Sequence, residues 1–565
     1  MRSRSLRPAG LLLLLAALAA CTDDRQPADG GAGDIGGTLV LVVPARPGNL
    51  LPLYADRAQS KQITDLVYER LAEIGPGLNT VGEEGFEPRL ARSWEWSDDS
   101  LAITFHLDPA ARWHDGTPVR AADVRFTFEL NMDSTAQSVD REYLAAIDSV
   151  TTPDSLTVTV WAARRTPEQF YDAAGRLSIL PRHLLADTPR GQLTEHALAS
   201  SPMGSGPFRF VRAVPNQLVE LAADTAYHLG RPPLDRVVIS IAGTPVAATT
   251  QLLAGDADVY EALRPENMAQ VAKTSDLVAR IVPAAQYSFL LFNLRAPDDP
   301  QRPHPVFGDR ATRRALSMLV DREGLTRAVF DSLAVVGVGP FPRVLPVADT
   351  TLRQIPFDVA RGEALLDSLG WRDADGDGVR ERSGQPLAFT LTVPSSSSFR
   401  MRMGELLQRQ LAASGVKVDV DVVEFNVMGS RLMSGHFDSA LHQWALGDGS
   451  PAGLQATWGS VDGQPATQNY GGYVSETFDA QVDSGLAAFD KAERQAHFSR
   501  AFQTILDDAP AVWIYEPRQP FGIHARFQHP PLRPASWWID LPRWSVPADK
   551  RIERDRAGLP AIARR

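Results

Sequence analysis

Cysteine is all but missing from this sequence. Cys21 is the only one among 565 residues, so no disulfide can form within the chain, whatever compartment it occupies. Glycine loops that cradle phosphate are missing too. No G-x-x-x-x-G-K-[ST] occurs, and no G-x-G-x-x-G opens a helix after a strand. There is no G-x-S-x-G nucleophile elbow either. MGSGPF (203–208) comes near that look, but Ser205 lies between single glycines and before a proline, which suits a loop. The 11 histidines are scattered, with His304, His436 and His442 far apart or at spacings that metal ligands do not use. Positive charge is not in excess. The formal net charge of −11 weighs against a nucleic-acid partner, which needs a basic face to neutralise phosphates. Internal repeats and long low-complexity segments are absent as well. Nothing here gives a positive reason to expect an enzyme, and no cofactor is expected.

What is present is a globular composition, 44% hydrophobic and 22% charged, in a chain long enough for two to four domain-sized cores. The first residues have another purpose. Arg2, Arg4 and Arg7 precede an apolar run from Leu11 to Ala20, too short for a permanent membrane span, and small residues lead to Cys21. Residues 1–20 therefore read as an export signal. Leu18-Ala19-Ala20-Cys21 resembles the bacterial lipobox, which implies lipidation of Cys21 and anchoring at a membrane surface. Lipid chains gain roughly 0.8 kcal/mol per buried CH₂, and more than one chain makes a stable anchor. Residues 21–36, small and Gly-rich, read as a flexible tether. The charged stretch 548–565 has little apolar periodicity and reads as a frayed tail.

Strand and helix signals mix between these ends. Residues 39–43 form a short apolar run suited to a buried strand. Leu101, Ile103, Phe105 and Leu107 alternate onto one face, and 156–161, 237–241 and 289–294 look similar. Met403, Leu406, Leu407 and Leu411 follow helical spacing up to Gly415, after which Val416, Val418, Val420 and Val422 alternate as a strand. Phe498, Ala501, Phe502, Ile505 and Leu506 form a second helical stripe, stopped by Pro510. Such stripes predict core rather than site. The sum is a mixed α/β protein of more than one lobe.

Two motifs invite a chemical reading. RWHDGTPVRAADVRFTFEL (112–130) sets His114 beside Asp115. Asp115-Gly116 is a turn dipeptide, and Asp123 falls in the first turn of the expected helix, where a carboxylate meets the positive end of the dipole. A general base also needs an orienting partner and a nearby nucleophile, so a structural turn is expected. DADGDGVRE (373–381) sets Asp373, Asp375 and Asp377 at the first, third and fifth positions of a calcium loop. The bidentate Glu of an EF-hand would fall on Gly384, so an acidic turn is favoured over a metal site.

Several stretches, taken together and in order, resemble the family 5 extracellular solute-binding proteins, the oligopeptide- and dipeptide-binding proteins of bacterial ABC importers. They include NLLPLYADRAQSKQITDLVYERL (49–71), EPRLARSWEWSDDSLAITFHL, the HDG turn with its helix, ILPRHLL, GSGPFRF, LAGDADV, FGDRATRRALSMLVDR, ALLDSLGW and FDSALHQW. The resemblance implies a two-lobed, periplasmic-binding-protein-like α/β fold of type II, in the large cluster with an extra subdomain. A ligand cleft would lie between the lobes. It places the first part of lobe 1 at 37–288, lobe 2 at 289–515 and a C-terminal return to lobe 1 at 516–547, with crossing strands near Phe289–Asn293 and Val512–Tyr515. It implies capture of peptides for membrane permease subunits by a monomer at the periplasm or cell surface. Trp444, Asp448, Ser205, Gly206 and Asn293 are the ligand-binding candidates. In peptide-binding members an Asp three residues after a Trp pairs with the ligand ammonium. In WALGDGSP that third position is Gly447, and Asp448 comes one later. Either Asp448 serves from a shifted loop, or it is a surface turn residue and the solute is a metal chelate, an opine, an oligosaccharide or a haem-like compound. An exported enzyme or assembly factor reusing the fold is the third reading.

Overall fold

The structure, a computed structural model, describes residues 35–447 and 449–556. The signal segment, Cys21 and the tether as far as residue 34, Asp448 and residues 557–565 lie outside the described residues. Among the described residues no helix is long and apolar enough to cross a membrane.

A twelve-stranded mixed sheet runs through both lobes. One half holds Thr38–Val43, flanked by Arg236–Ile241 and Val259–Tyr260 in parallel and extended by Leu218–Ala223 and Phe208–Val214. The other half holds Gln286–Phe292, Ser439–Ala445, Ala388–Pro394 and the edge strand Lys417–Val423. The long strand Ala511–His524 belongs to both. Its start pairs with Gln286–Phe292, setting Phe289 opposite Trp513 and Leu290 opposite Val512. Its end pairs with Val259–Tyr260 and Leu277–Pro283. Residues 39–43 are buried on both faces, which is why this strand reads as a continuous apolar run rather than an alternating one.

A separate four-stranded antiparallel sheet spans Ala91–Trp96, Ala102–Leu107, Ile147–Thr151 and Thr157–Ala162. Ile103, Phe105 and Leu107 turn to its core, with Ile103 opposite Val160 and Phe105 opposite Val158. This is the extra subdomain. The HDG turn feeds the helix Ala121–Met132, whose Asp123 accepts hydrogen bonds from the backbone N–H groups of Arg120 (2.8 Å) and Arg182 (3.0 Å). That carboxylate caps one helix and anchors the start of the next. Late in the chain, helices Ser398–Ala412 and Lys491–Asp508 bury the expected stripes, and the second ends at Ala509 in the left-handed region. Val422 departs from the expected alternation. It is 48% exposed because Lys417–Val423 is the outermost strand of its half.

The reading of 548–565 as a frayed tail is corrected for 548–556. Asp555 accepts from the N–H of Thr38 (2.7 Å) and pairs with Arg526, which pairs in turn with Asp258 (3.0 Å), and Arg554 also reaches Asp258 (2.7 Å). The carboxylate side chains of Asp258 and Asp555 are fully buried. This charged stretch without apolar periodicity is ordered here because Arg554 and Asp555 find opposite charges inside the protein. Removing one partner strands a buried ion, so Arg526→Ala should cost about 3–5 kcal/mol, read as a lower urea midpoint. A chain ending at residue 547 should also show a lowered midpoint, whereas a frayed tail would leave it unmoved.

Candidate ligand-binding cleft

A cavity of about 460 Å³ lies between the lobes. Helix Ala58–Val67 and the segment that follows it form one wall, with Asp65, Arg70 and Glu73. The end of strand Ser439–Ala445 forms the facing wall, with Trp444 to Gly447. The subdomain adds Tyr143, Tyr171 and Arg176, and the C-terminal return adds Arg533, Ser536 and Ile539. An adjoining cavity of about 540 Å³ shares Tyr143, Arg176, Gly453 and Gln468 with it, so the cleft is elongated.

Its apolar wall is built around Trp444. The indole stacks on Tyr470 (5.8 Å between centroids, 28°), and His442 meets Trp444 edge-on at 4.7 Å. Burial, helped by the charge of Arg400, pushes His442 down to about 3, so this ring is a neutral packing element at physiological pH. The polar wall is tied together by ion pairs. Arg70 bridges Asp65 (2.8 Å) and Glu73 (2.9 Å), while Arg176 binds Asp172 (2.9 Å) and lies over the rings of Tyr143 and Tyr171. Arg533 donates to the carbonyls of Ile74 (2.9 Å) and Gly75 (3.1 Å).

Two contacts hold the cleft shut beside this cavity. Gly449 has φ +78°, and a Cβ there would sit 3.1 Å from the Leu78 carbonyl oxygen. Only glycine allows that approach and that backbone angle together. Next to it, Ser450 Oγ donates to the buried Glu168 carboxylate (2.8 Å), which also accepts from Thr80. Thr80 and Glu168 precede the first crossing strand, whereas Ser450 follows it. Burial pushes Glu168 up to about 7, with Asp172 adding to the rise and Thr80, Ser450 and Arg176 opposing it.

Of the residues singled out from sequence, Trp444 lines the cavity. Asp448 is not described, but its neighbour Gly447 lines the cavity and Gly449 and Ser450 are buried. The structure does not bring Ser205, Gly206 or Asn293 to the cleft. Gly206 packs on the end of helix Ala58–Val67, donating to the Val67 carbonyl (2.8 Å), and His114 Nε2 meets the Gly206 carbonyl (2.9 Å). Ser205 is buried with its hydroxyl unpartnered among the described residues. The HDG turn and the GSG loop thus brace each other as scaffold. Asn293 spends its side chain locally, donating to the carbonyls of Gly435 (3.0 Å) and Phe437 (2.8 Å) and accepting from Arg295 N–H. Asp373, Asp375 and Asp377 lie within 4.8 Å of one another and are exposed. Asp373 accepts from the N–H groups of Gly376 and Gly378, the pattern of an acidic turn. Glu168, Tyr470 and Arg533 were not foreseen, because none sits in a patterned stretch.

The chain matches the family model "Bacterial extracellular solute-binding proteins, family 5 Middle" over residues 85–465. It belongs to that family, and is therefore a solute-binding protein and not an enzyme. It is similar to the oligopeptide-binding protein AppA of Bacillus subtilis, 23% identical over 545 residues that cover 94% of this chain and 97% of that one. The structure of that AppA in complex with a nonapeptide superposes with a TM-score of 0.75 at 22% identity, covering 91% of this chain and 99% of that one. NikA from Brucella suis in complex with Fe(III)-EDTA has a TM-score of 0.77 at 21% identity, with coverage of 90% and 100%. At such identities the two structures establish the fold.

Two outcomes are expected of the closing contacts. The folded-state pKa of Glu168 lies above its ordinary value, so its contribution to stability is full below about 4.5 and is lost as pH rises through about 7. Glu168→Gln keeps a hydrogen-bonding group without the ionisation. Its urea midpoint relative to wild type should therefore climb between pH 5 and pH 8, and a flat difference would refute the assignment. Gly449→Val should hold the lobes apart, giving a larger radius of gyration by small-angle scattering. An unchanged radius would show that the loops yield.

Proposed function

We propose that the chain is exported, anchored through lipid on Cys21, and captures di- or oligopeptides in the interlobe cleft for delivery to the permease subunits of an ABC importer. It performs no reaction. Lobe 1 comprises 37–288 with the return at 516–547, and lobe 2 comprises 289–515. The observation that carries this reading is the elongated cleft enclosed by both lobes, one wall aromatic at Trp444, which stacks on Tyr470, and the other ion-paired at Asp65, Arg70 and Glu73. An extended zwitterionic chain suits such a site, because its backbone groups can be held regardless of side chain. The oligopeptide-binding relative supports it. Closure then follows from the ligand binding the closed state more tightly than the open one.

A second reading keeps the fold and changes the solute to a metal chelate, an opine or an oligosaccharide. Gly447, standing where the family's peptide binders carry their ammonium-binding Asp, favours it, and the chelate-bound NikA is a neighbour of the same fold.

Thermal unfolding of the mature chain with a mixed di- to hexapeptide pool separates the two. A ligand that binds only the folded state, at a hundred times its dissociation constant, adds about 2.7 kcal/mol. The midpoint should rise by a few degrees. No rise, once mass spectrometry has excluded a co-purified ligand, would reject peptides in favour of the second reading.

A further inference from the structure

Among the described residues, four buried arginines, Arg313, Arg322, Arg494 and Arg533, have only backbone carbonyls as hydrogen-bond partners, and of these Arg533 alone lines the cavity beside Trp444. Arg70 holds Asp65 and Glu73, Arg176 holds Asp172, and Arg526 holds Asp258 and Asp555. Arg313 lacks a carboxylate but donates to the carbonyls of Phe307, Asp508 and Ala509. Arg533 differs from all of these. It is 5% exposed and lines the interlobe cavity, yet among the described residues no carboxylate lies within ion-pair distance of it. Its two hydrogen bonds both leave from Nη2, to the carbonyls of Ile74 and Gly75, and its buried Nε has no acceptor.

Acidic groups are near, but they are engaged or distant. Glu73 is taken by Arg70, Glu87 by Arg89 and Arg543, and Asp540 by Arg543. These charges, and the opposing one of Arg70, reach Arg533 only through space, and burial still pushes the guanidinium below its ordinary range. A buried cation in that state costs free energy unless an anion completes it. The open position beside it is the cavity. A guanidinium donates charge-assisted hydrogen bonds to a carboxylate. The Ile74 and Gly75 carbonyls hold Nη2 and Nε is sealed in the interior, so Nη1 is the donor left to a ligand.

We propose that Arg533 is the anion-recognising residue of the interlobe cleft, and that the solute carries a carboxylate which pairs with it when the lobes close. For the peptide reading, on which this rests, that group is the terminal carboxylate or an acidic side chain. The paired carboxylate would join lobe 1 to a ligand whose remainder lies against Trp444.

The test compares a tripeptide with its C-terminal amide by titration calorimetry, in wild type, Arg533→Gln and Arg533→Lys. Wild type should bind the free acid at least about ten-fold more tightly than the amide. Arg533→Gln should bind both forms alike, and Arg533→Lys should retain part of the preference, because it keeps the charge but loses the Nη2 anchor to the Ile74 and Gly75 carbonyls. The wild-type comparison needs no variant to fold. The proposal is overturned if wild type does not distinguish acid from amide, or if Arg533→Gln distinguishes them as well as wild type. A second arm uses succinate against succinamide and reads the thermal midpoint. If neither peptide form binds, the peptide reading fails by itself. Succinate raising the midpoint of wild type but not of Arg533→Gln would still uphold the anion site, and no succinate-specific rise would sink it.

Discussion

The strand Ala511–His524 is the constraint on which the rest of the structure depends. One continuous stretch of backbone belongs to both halves of the sheet, so each lobe is hydrogen-bonded to the same element. Its partners change along its length, from Gln286–Phe292 at the start to Leu277–Pro283 at the end. Near the changeover, Glu516 is buried and accepts from the N–H groups of Val338 and Arg343 and from Arg343 Nε, all at 3.0 Å. Pro517 and Pro520 follow, and neither has an N–H to give the ladder. The sheet is therefore continuous through the junction, where Ala334–Val336 also pairs with Tyr515–Pro517, but it lacks two ladder donors at the prolines. A hinge needs that combination, because closure must bend the connection without breaking either lobe.

The cleft inherits its chemistry from that arrangement. Its walls come from stretches far apart in sequence, so its charges are set by packing rather than by any local motif. Most of them are paired within the protein, as at Asp65, Arg70 and Glu73. Those that are not carry information about the ligand or about closure. Glu168 reports the second case, since it takes its hydrogen bonds from both sides of the cleft. Gly449 does so sterically, by meeting the Leu78 carbonyl. Their partners Leu78 and Ser450 line the same cavity as Trp444, so the closing contacts border the surface offered to the solute.

The fold was largely legible because burial leaves periodic marks. The fully buried run at 39–43, the alternation through Ile103, Phe105 and Leu107, and the stripe from Phe498 to Leu506 all record which faces are dry. Ion pairing leaves no such mark. The C-terminal stretch through Asp555 looked solvated because its order comes from Asp258 and Arg526, far away in the chain. Of the described candidates, only Trp444 lines the cavity. A Gly-Ser-Gly loop and an asparagine at a strand end look alike whether they hold a ligand or the backbone. In Gly206 and Asn293 the backbone is what they hold.

The same distinction separates binding from catalysis here. Groups that could pass for catalysts are disarmed by their surroundings. His114 is tied to the Gly206 carbonyl, Asp115 to His183 (2.8 Å) and the N–H of Thr117, and His442 is held neutral against Trp444. A general base must be free to take a proton from a bound substrate, and none of these is. What the cavity offers is an aromatic face at Trp444, the Arg533 guanidinium without a carboxylate partner, and polar side chains such as Lys61 and Gln468, groups that can hold a solute. A fold built to close and reopen over intact cargo is served by such an inventory. Discrimination among cargoes then rests on the few polar groups whose partners the protein itself does not supply.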